Sequence, residues 1–358
     1  MLQQIIGLPD HLRTALAWEL ELGVEPDGVV LVGMGGSAVG ADMLADYACP
    51  IAHLPICVVR GLQFPGWVGK RTLVVMVSYS GNTWEVMDLY AEARRRGCQM
   101  ASIASGGELA KRSEMDGVPM LKVPQGLQPR AALGYLLGAE AVVLEASGVV
   151  PAKRELNLAQ TSLASLREEV LPSVPTDSNL AKSTALKLHR KVPVVYAPRN
   201  LRTVAYRWQT QINENAKMMA FSGEFPEMNH NQLVPWVEGN PGKDLAPVFL
   251  RPSSSEGNLG EKMEVAMQLM RESTAPPRSE KAGKDWWANF RDGQGKAEPS
   301  SPGPKVDPLP MVLSGNTQLE TALRGIMLGD FVSYYLAMLK GVDPSPVASI
   351  QELKRRMR

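Results

Sequence analysis

The chain has 358 residues, long enough for two domains of ordinary size, and its 38 basic side chains nearly balance its 37 acidic ones. Such a balance gives no electrostatic reason for a nucleic-acid or membrane-surface partner, so the partner expected is a small molecule. Three cysteines and four histidines (His11, His53, His189, His230) are too few and too scattered for a disulfide framework or a zinc motif, which argues for a reduced, cytoplasmic setting and no metal.

The N-terminal stretch lacks a basic region followed by an apolar run, and no later segment offers about eighteen uncharged apolar residues, so neither a signal peptide nor a membrane span is expected. An amphipathic segment covers about Pro9–Leu22. Gly28–Val32 then reads as a strand running into GMGGSAVG (Gly33–Gly40), and a helix continues through Tyr47. A short strand at Ile56–Val59 precedes LVVMVSYSGNT (Leu73–Thr83), an apolar run that stops in small hydroxyl and glycine residues. This is a strand feeding a loop. A helix over Trp84–Arg96 carries Val86, Leu89, Tyr90 and Ala93 at helical spacing. A strand at Met100–Ala104, a short helix near Glu108–Ser113, strand-like Met120–Val123 and a long helix ending near Ser147 complete the first half. Strands alternating with helices in this way predict an α/β fold with a parallel sheet flanked by helices in three layers, and ligands at the carboxyl ends of the strands.

Residues 1–150 therefore read as one subdomain and 151–179 as a connector with a helix around Thr161–Val170, bounded by Pro172 and Pro175. From 180 to 358 the alternation resumes with a helix to Lys191, a strand Val192–Tyr196 and a helix from about Leu201 to Met219. This half resembles a looser copy of the first. Its strand ends in APRN where the first half has GMGG, so the copy is expected to lack the glycine loop. A helix over Glu261–Glu272 leads to a Pro, Ser, Lys and Gly-rich insertion over about 273–307, with DWWANF as a local anchor. Strand-like Met311–Leu313, a dense apolar helix Gln318–Leu339 whose Gly325 and Gly329 let another helix come close, and a last helix Val347–Arg356 end the chain.

Two loops carry the chemical signal. First-turn N–H groups of a helix have no intrahelical partner and the helix dipole favours negative charge, so hydroxyls and free amides at a strand-to-helix turn suit an anion. Gly33–Gly40 and Ser78–Thr83 are two such turns, able to close on one phosphate from two sides. The plain alternative is that Ser80 or Asn82 merely caps a helix. Gly33, Gly35 and Ala38 also fit the dinucleotide pattern G-x-G-x-x-G/A, but the next strand ends in Val59-Arg60-Gly61 where a ribose-binding acid is wanted, and that scheme leaves the second loop without a role.

Together GMGGSAVG and VSYSGNT resemble the phosphate loops of the sugar isomerase (SIS) domain. PRAALGYLLG from Pro129, NENAK from Asn213 with EMNHNQL from Glu227, and GDFVSYYLAMLKGVDP from Gly329 followed by IQELK narrow the resemblance to the bifunctional phosphoglucose/phosphomannose isomerases. It runs from about residue 25 to the C-terminus and is interrupted by the insertion. It implies two SIS subdomains and a homodimer with active sites at the subunit boundary. By position, Gly36, Ser37, Ser78, Ser80 and Thr83 would hold the substrate phosphate, and Arg130 would face the reacting carbons. Glu214 would be the base, His230 a ring-opening histidine given by the partner subunit, and Lys354 the lysine of the last helix.

The activity so implied interconverts glucose 6-phosphate with fructose 6-phosphate, with mannose 6-phosphate left open as a second aldose. Such isomerisation needs a base that moves a proton between neighbouring carbons, positive charge where the enediolate forms, and an acid/base pair to open the ring, but no metal or redox cofactor. Glu214, Arg130 and the His230/Lys354 pair would supply these parts. Read without the resemblance, Glu214 is an ordinary helix glutamate, His230 a polar-loop histidine and Lys354 part of a solvated basic end with Arg355, Arg356 and Arg358. Two rivals remain: a non-catalytic sugar-phosphate sensor on the same fold, which would not need Glu214, His230 and Lys354, and an isomerase of another phosphosugar.

Overall fold

The computed structural model describes residues 1–239, 241–253, 258–272 and 306–356. The insertion expected over about 273–307, DWWANF included, lies outside the described residues except for Val306 and Asp307.

Two short helices open the chain, α1 (Leu2–Ile6) and α2 (Leu8–Leu16). Pro9 sits in the first turn of α2, where a missing N–H removes no helical bond. Within the amphipathic segment the helix stops at Leu16, and Leu22 is buried from an irregular connection rather than from a helix face.

The first sheet contains β1 (Gly28–Val32), β2 (Ile56–Val59), β3 (Thr72–Ser78), β4 (Gln99–Ala104) and β5 (Met120–Lys122), ordered β2-β1-β3-β4-β5 and parallel throughout. Every residue of the central β3 is buried, as its unbroken apolar run requires of a strand covered on both faces. The flanking helices are α3 (Val39–Ala48), α4 (Trp84–Arg96), α5 (Gly107–Met115) and α6 (Leu133–Ala146). In α6, Gly134 and Gly138 let α2 lie directly on the helix: a Cβ at Gly134 would come within 2.7 Å of the Leu8 carbonyl oxygen.

A longer helix than expected, α7 (Lys153–Val170), joins the halves, because Leu156 and Ala159 extend the buried stripe that Leu163, Leu166 and Val170 continue. Next come α8 (Leu180–Leu188), β6 (Val192–Pro198), α9 (Arg202–Ala216), β7 (Phe221–Phe225), α10 (Leu233–Val237), β8 (Leu245–Pro252), α11 (Leu259–Glu272), β9 (Leu309–Leu313), α12 (Gln318–Lys340) and α13 (Ala348–Arg356). Their sheet is ordered β7-β6-β8-β9 and is also parallel. Two of these strands carry weak local signals. β7, FSGEF, is an edge strand with a glycine and an acid, and β8, LAPVFLRP, includes two prolines, a residue that ordinarily argues against a strand.

The turn after β6 is the glycine-free Arg199–Leu201 expected from APRN. It opens α9 toward the first sheet, where Arg202 and Thr203 both bind the Asp46 carboxylate of α3, Thr203 Oγ1 at 2.8 Å. Helix α12 threads the shared core. Trp208 of α9 lies against its Gly329, where any Cβ would overlap the indole, and donates Nε1–H to the Gly325 carbonyl at 2.8 Å. By length and composition alone α12 could cross a membrane, but 78% of its apolar window is buried inside the protein, so it is a core helix.

Candidate functional site

Both candidate phosphate loops leave the carboxyl edge of the first sheet. After β1, Met34 is extended and Gly35–Ala38 forms a 3₁₀ turn whose Gly35 has φ +55°, a backbone region suited to glycine. The Ser37 hydroxyl is buried and accepts the Tyr79 N–H at 3.2 Å, so it ties this turn to the loop that leaves β3. In that loop Ser78 Oγ lies 2.9 Å from Thr83 Oγ1, and Ser80 Oγ accepts the Asn82 N–H at 3.3 Å. Gly81, at φ +67°, is pressed against the Gly106 carbonyl, where a Cβ would overlap the oxygen. Thr83 stands at the N-cap of α4 yet makes no capping bond to the first-turn amides. Gly36, Ser37, Ser78, Ser80 and Thr83 thus belong to one assembly at neighbouring strand ends.

Beneath it lies a carboxyl group that the sequence reading passed over. Glu140 of α6 is wholly buried against Gly40 in the first turn of α3. Desolvation first, and the Asp42 charge second, push its pKa well above the ordinary carboxylate range. Both influences disfavour a charged carboxylate next to the first turn of α3. Arg60, which stands where the dinucleotide pattern wants a ribose-binding acid, pairs with Asp42, and its guanidinium lies 5.3 Å from the centre of the Tyr206 ring.

Arg130 sits in the 3₁₀ turn Pro129–Ala131 that follows β5. A Cβ on Gly36 would come within 2.8 Å of the Arg130 Cα, so the glycine turn rests on the arginine backbone while the side chain leads away from it. That side chain is 3% exposed, and its course is fixed by donors and acceptors from distant parts of the chain. Nε donates to Asn215 Oδ1 at 2.8 Å, and Nη2 donates to the carbonyls of Pro344 at 2.7 Å and Ser345 at 2.9 Å. Asn215 in turn donates to Ser333 Oγ at 2.9 Å, and Arg207, paired to Asp330 through both carboxylate oxygens, donates to the Arg130 carbonyl at 2.6 Å. Burial lowers the Arg130 pKa and the Glu214 charge raises it back; an arginine remains protonated under either influence.

The remaining guanidinium nitrogen, Nη1, faces Glu214 Oε2 at 3.5 Å. Glu214 lies in the last turn of α9 with its side chain 28% exposed, so the pair is half open to solvent. Immediately after it, Lys217 ends α9 in the left-handed region (φ 52°, ψ 41°) and donates from Nζ to the Glu214 carbonyl at 2.6 Å.

His230 and Lys354 are placed differently. His230 ends the 3₁₀ turn Glu227–His230 after β7 and is exposed. Helix α9 delivers the chain to the amino end of β7, whereas His230 follows its carboxyl end. Five residues of strand, about 15 Å, therefore separate the edge that bears Glu214 from the edge that bears His230. Lys354 is exposed on α13, a helix with no buried residue; its neighbours Arg355 and Arg356 both pair with Glu352.

The sequence reading gave no role to Arg207, Asn215, Lys217 or the Pro344–Ser345 backbone. The first two had a signal. Arg207, Gln211 and Asn215 recur four residues apart and are all buried, a polar stripe on the face of α9 that packing should make apolar. Backbone acceptors at 344 and 345 leave no trace in side-chain chemistry.

A double parallel-sheet protein with two anion-suited turns on one sheet edge, joined through a buried arginine to a carboxylate on the other subdomain, is an α/β protein of the sugar-phosphate SIS class. The model of the bacterial phospho-glucose isomerase C-terminal SIS domain matches residues 177–285 and 305–357. Among curated relatives, a bifunctional phosphoglucose/phosphomannose isomerase of Caldicellulosiruptor bescii is 31% identical over 100% of this chain and 98% of its own length. One from Aquifex aeolicus is 31% identical over 92% of this chain and 90% of its own. The chain belongs to the bifunctional phosphoglucose/phosphomannose isomerase family. Solved structures agree on the fold: a hypothetical protein from Thermus thermophilus has a TM-score of 0.69 at 17% identity, covering 99% of this chain and 89% of that one. The C-terminal domain of glucosamine-fructose-6-phosphate aminotransferase from Francisella tularensis has a TM-score of 0.65 at 13% identity, covering 97% of each chain.

Proposed function

We propose that the chain interconverts the aldose and ketose forms of hexose 6-phosphates, glucose 6-phosphate and mannose 6-phosphate with fructose 6-phosphate, through an enediolate, with Glu214 as the base. The observation that carries this reading is the course of Arg130. Its backbone supports the Gly36 turn and its guanidinium meets Glu214. The span from phosphate loop to carboxylate is thus one arginine side chain, a length that a six-carbon sugar phosphate also covers. Residues 1–150 supply the phosphate loops and Arg130, residues 180–358 supply Glu214, His230 and Lys354, and 151–179 connect them.

The phosphate is held by Gly36, Ser37, Ser78, Ser80 and Thr83 at the α3 and α4 starts, where first-turn amides and the helix dipoles favour a dianion. With the phosphate fixed, C1 and C2 of the open-chain sugar lie at Glu214. Its carboxylate takes the C2 proton of the aldose and returns it to C1, while Arg130 opposes the charge that develops on the oxygens. Because Arg130 is already bound on its other sides, it need not reorganise when that charge appears.

Ring opening is assigned to His230 and Lys354 of a second subunit. Glu214 and His230 occupy opposite edges of the same sheet, so one subunit does not bring its own histidine to its own base. Helix α13, with Ile350 and Leu353 exposed, offers an apolar face for a second copy. The reading places the enzyme in the cytoplasm.

Co-expression of Glu214→Gln with His230→Ala tests it. Each variant alone is inactive on this reading, whereas mixed dimers regain one intact site and restore up to about a quarter of wild-type activity. Mixed dimers that form but regain nothing would place the histidine elsewhere. Product analysis from fructose 6-phosphate then separates the glucose and mannose activities.

A further inference from the structure

The end of α9 holds a lysine in a place that favours glycine. Lys217 adopts the left-handed conformation (φ 52°, ψ 41°), which a side chain makes unfavourable and which helix ends ordinarily assign to glycine or asparagine. The turn alone would be better served by another residue, so the reason for the lysine lies in its side chain. Its carbonyl accepts a hydrogen bond from the Lys340 ammonium at the end of α12, which pins the turn. Its own ammonium lies over the last turn of α9, donating to the Glu214 carbonyl at 2.6 Å.

The charges that face this corner are few. Arg130 approaches from the loop after β5, with the Arg207–Asp330 pair behind it; Lys340 comes from α12, and Asp343 from the loop that follows. Glu214 therefore has one cation at its carboxylate, Arg130, and a second, Lys217, anchored on its own backbone. In the proposed reaction the fixed Arg130 charge is shared with the enediolate oxygens as the proton leaves carbon, which weakens its hold on the base.

We propose that Lys217 is a positioning residue for Glu214: its ammonium, fixed at the helix end, holds the last turn of α9, and the glutamate it carries, in place while Arg130 is engaged with the substrate. The inference rests on Glu214 being the base. Burial, followed by the Arg130 charge, lowers the pKa of Lys217 itself, so this support fades on the alkaline side before an ordinary lysine would lose its proton.

The tests are Lys217→Gly and Lys217→Arg, read as melting temperature and as the pH profile of kcat on fructose 6-phosphate. Glycine relieves the left-handed turn, so Lys217→Gly melts at or above the wild-type temperature, yet its kcat falls about 10-fold or more near neutrality while KM changes less. Lys217→Arg keeps most of the kcat and extends the alkaline limb, since guanidinium does not deprotonate. An unchanged kcat in Lys217→Gly overturns the inference, as does a Lys217→Arg profile no different from that of Lys217→Gly. Glu214→Gln separates the two levels: if that variant stays active the base assignment is wrong, and if it is inactive while the Lys217 profiles are unchanged only the role of Lys217 falls.

Discussion

Ser-Gly-Asn-Thr occurs twice in this chain, each time between a parallel strand and a helix: at 80–83 between β3 and α4, and at 314–317 between β9 and α12. The two loops do opposite things. At the second, the Thr317 hydroxyl accepts the Glu320 N–H at 3.2 Å, and the Glu320 carboxylate returns to the Asn316 N–H at 3.0 Å and its Nδ2 at 3.1 Å. That is a variant of the capping box, with the return bond made to the residue before the N-cap, and in it the protein's own carboxylate takes the anion's place at the helix start. At the first, the residue three past Thr83 is the buried Val86, which has no carboxylate to return. The Thr83 hydroxyl turns to Ser78 instead, and the α4 start is left with no side-chain cap. Identical tetrapeptides therefore do not define an anion site; the residue one helical turn downstream decides whether the protein caps the helix start itself or leaves it open.

The largest expected effect breaks the first loop. Ser80→Ala combined with Thr83→Ala should raise KM for fructose 6-phosphate by about 10- to 100-fold with a smaller change in kcat, since hydrogen bonds to a charged group contribute about 1.5–3 kcal/mol each and phosphate binding is shared by ground and transition states. Steady-state kinetics beside a Ser314→Ala control, which should leave KM unchanged, would settle whether the two loops differ in function. An equal rise in both would end the distinction.

Next in size, Glu320→Ala should lower stability by about 1–2 kcal/mol in chemical denaturation, by uncapping α12, while leaving KM within error of wild type. The smallest effect sharpens the same contrast through pH. Burial acts to raise the pKa of Glu320, but hydrogen bonds from Ser162 and Asn316 outweigh it and hold the carboxyl below its ordinary value. A depressed folded-state pKa contributes stability above the unfolded value, near 4.3, and that contribution is lost as pH falls through the folded value. The difference in stability between wild type and Glu320→Gln should accordingly be full at neutral pH and shrink below about pH 4. A difference that is flat through this range would remove Glu320 from the cap.

Much of this was legible in the chain itself. The alternation of buried apolar runs and amphipathic helices gave the parallel architecture, because each such signal is contained within a few neighbouring residues. The two glycine- and hydroxyl-rich turns proposed to hold phosphate were legible for the same reason. What the reading missed was non-local. β7 and β8 have a glycine, an acid and prolines where a strand signal should be, and they are strands because β6 lies between them. Arg207, Asn215 and the 344–345 carbonyls enter the site only through Arg130, across separations as large as the 215 residues from Arg130 to Ser345.

The sequence by itself determined that the protein is a double α/β unit with two glycine- and hydroxyl-rich turns on the first sheet, and its motifs pointed to Glu214 and His230. Only the tertiary structure decided that Arg130 runs from Gly36 to Glu214, that His230 stands at the far edge of the sheet that carries Glu214, and that one of two identical tetrapeptides is already occupied by Glu320. The reason is physical: periodicity and turn chemistry act over a few residues, whereas an ion pair or a cap depends on which surfaces the completed core brings together.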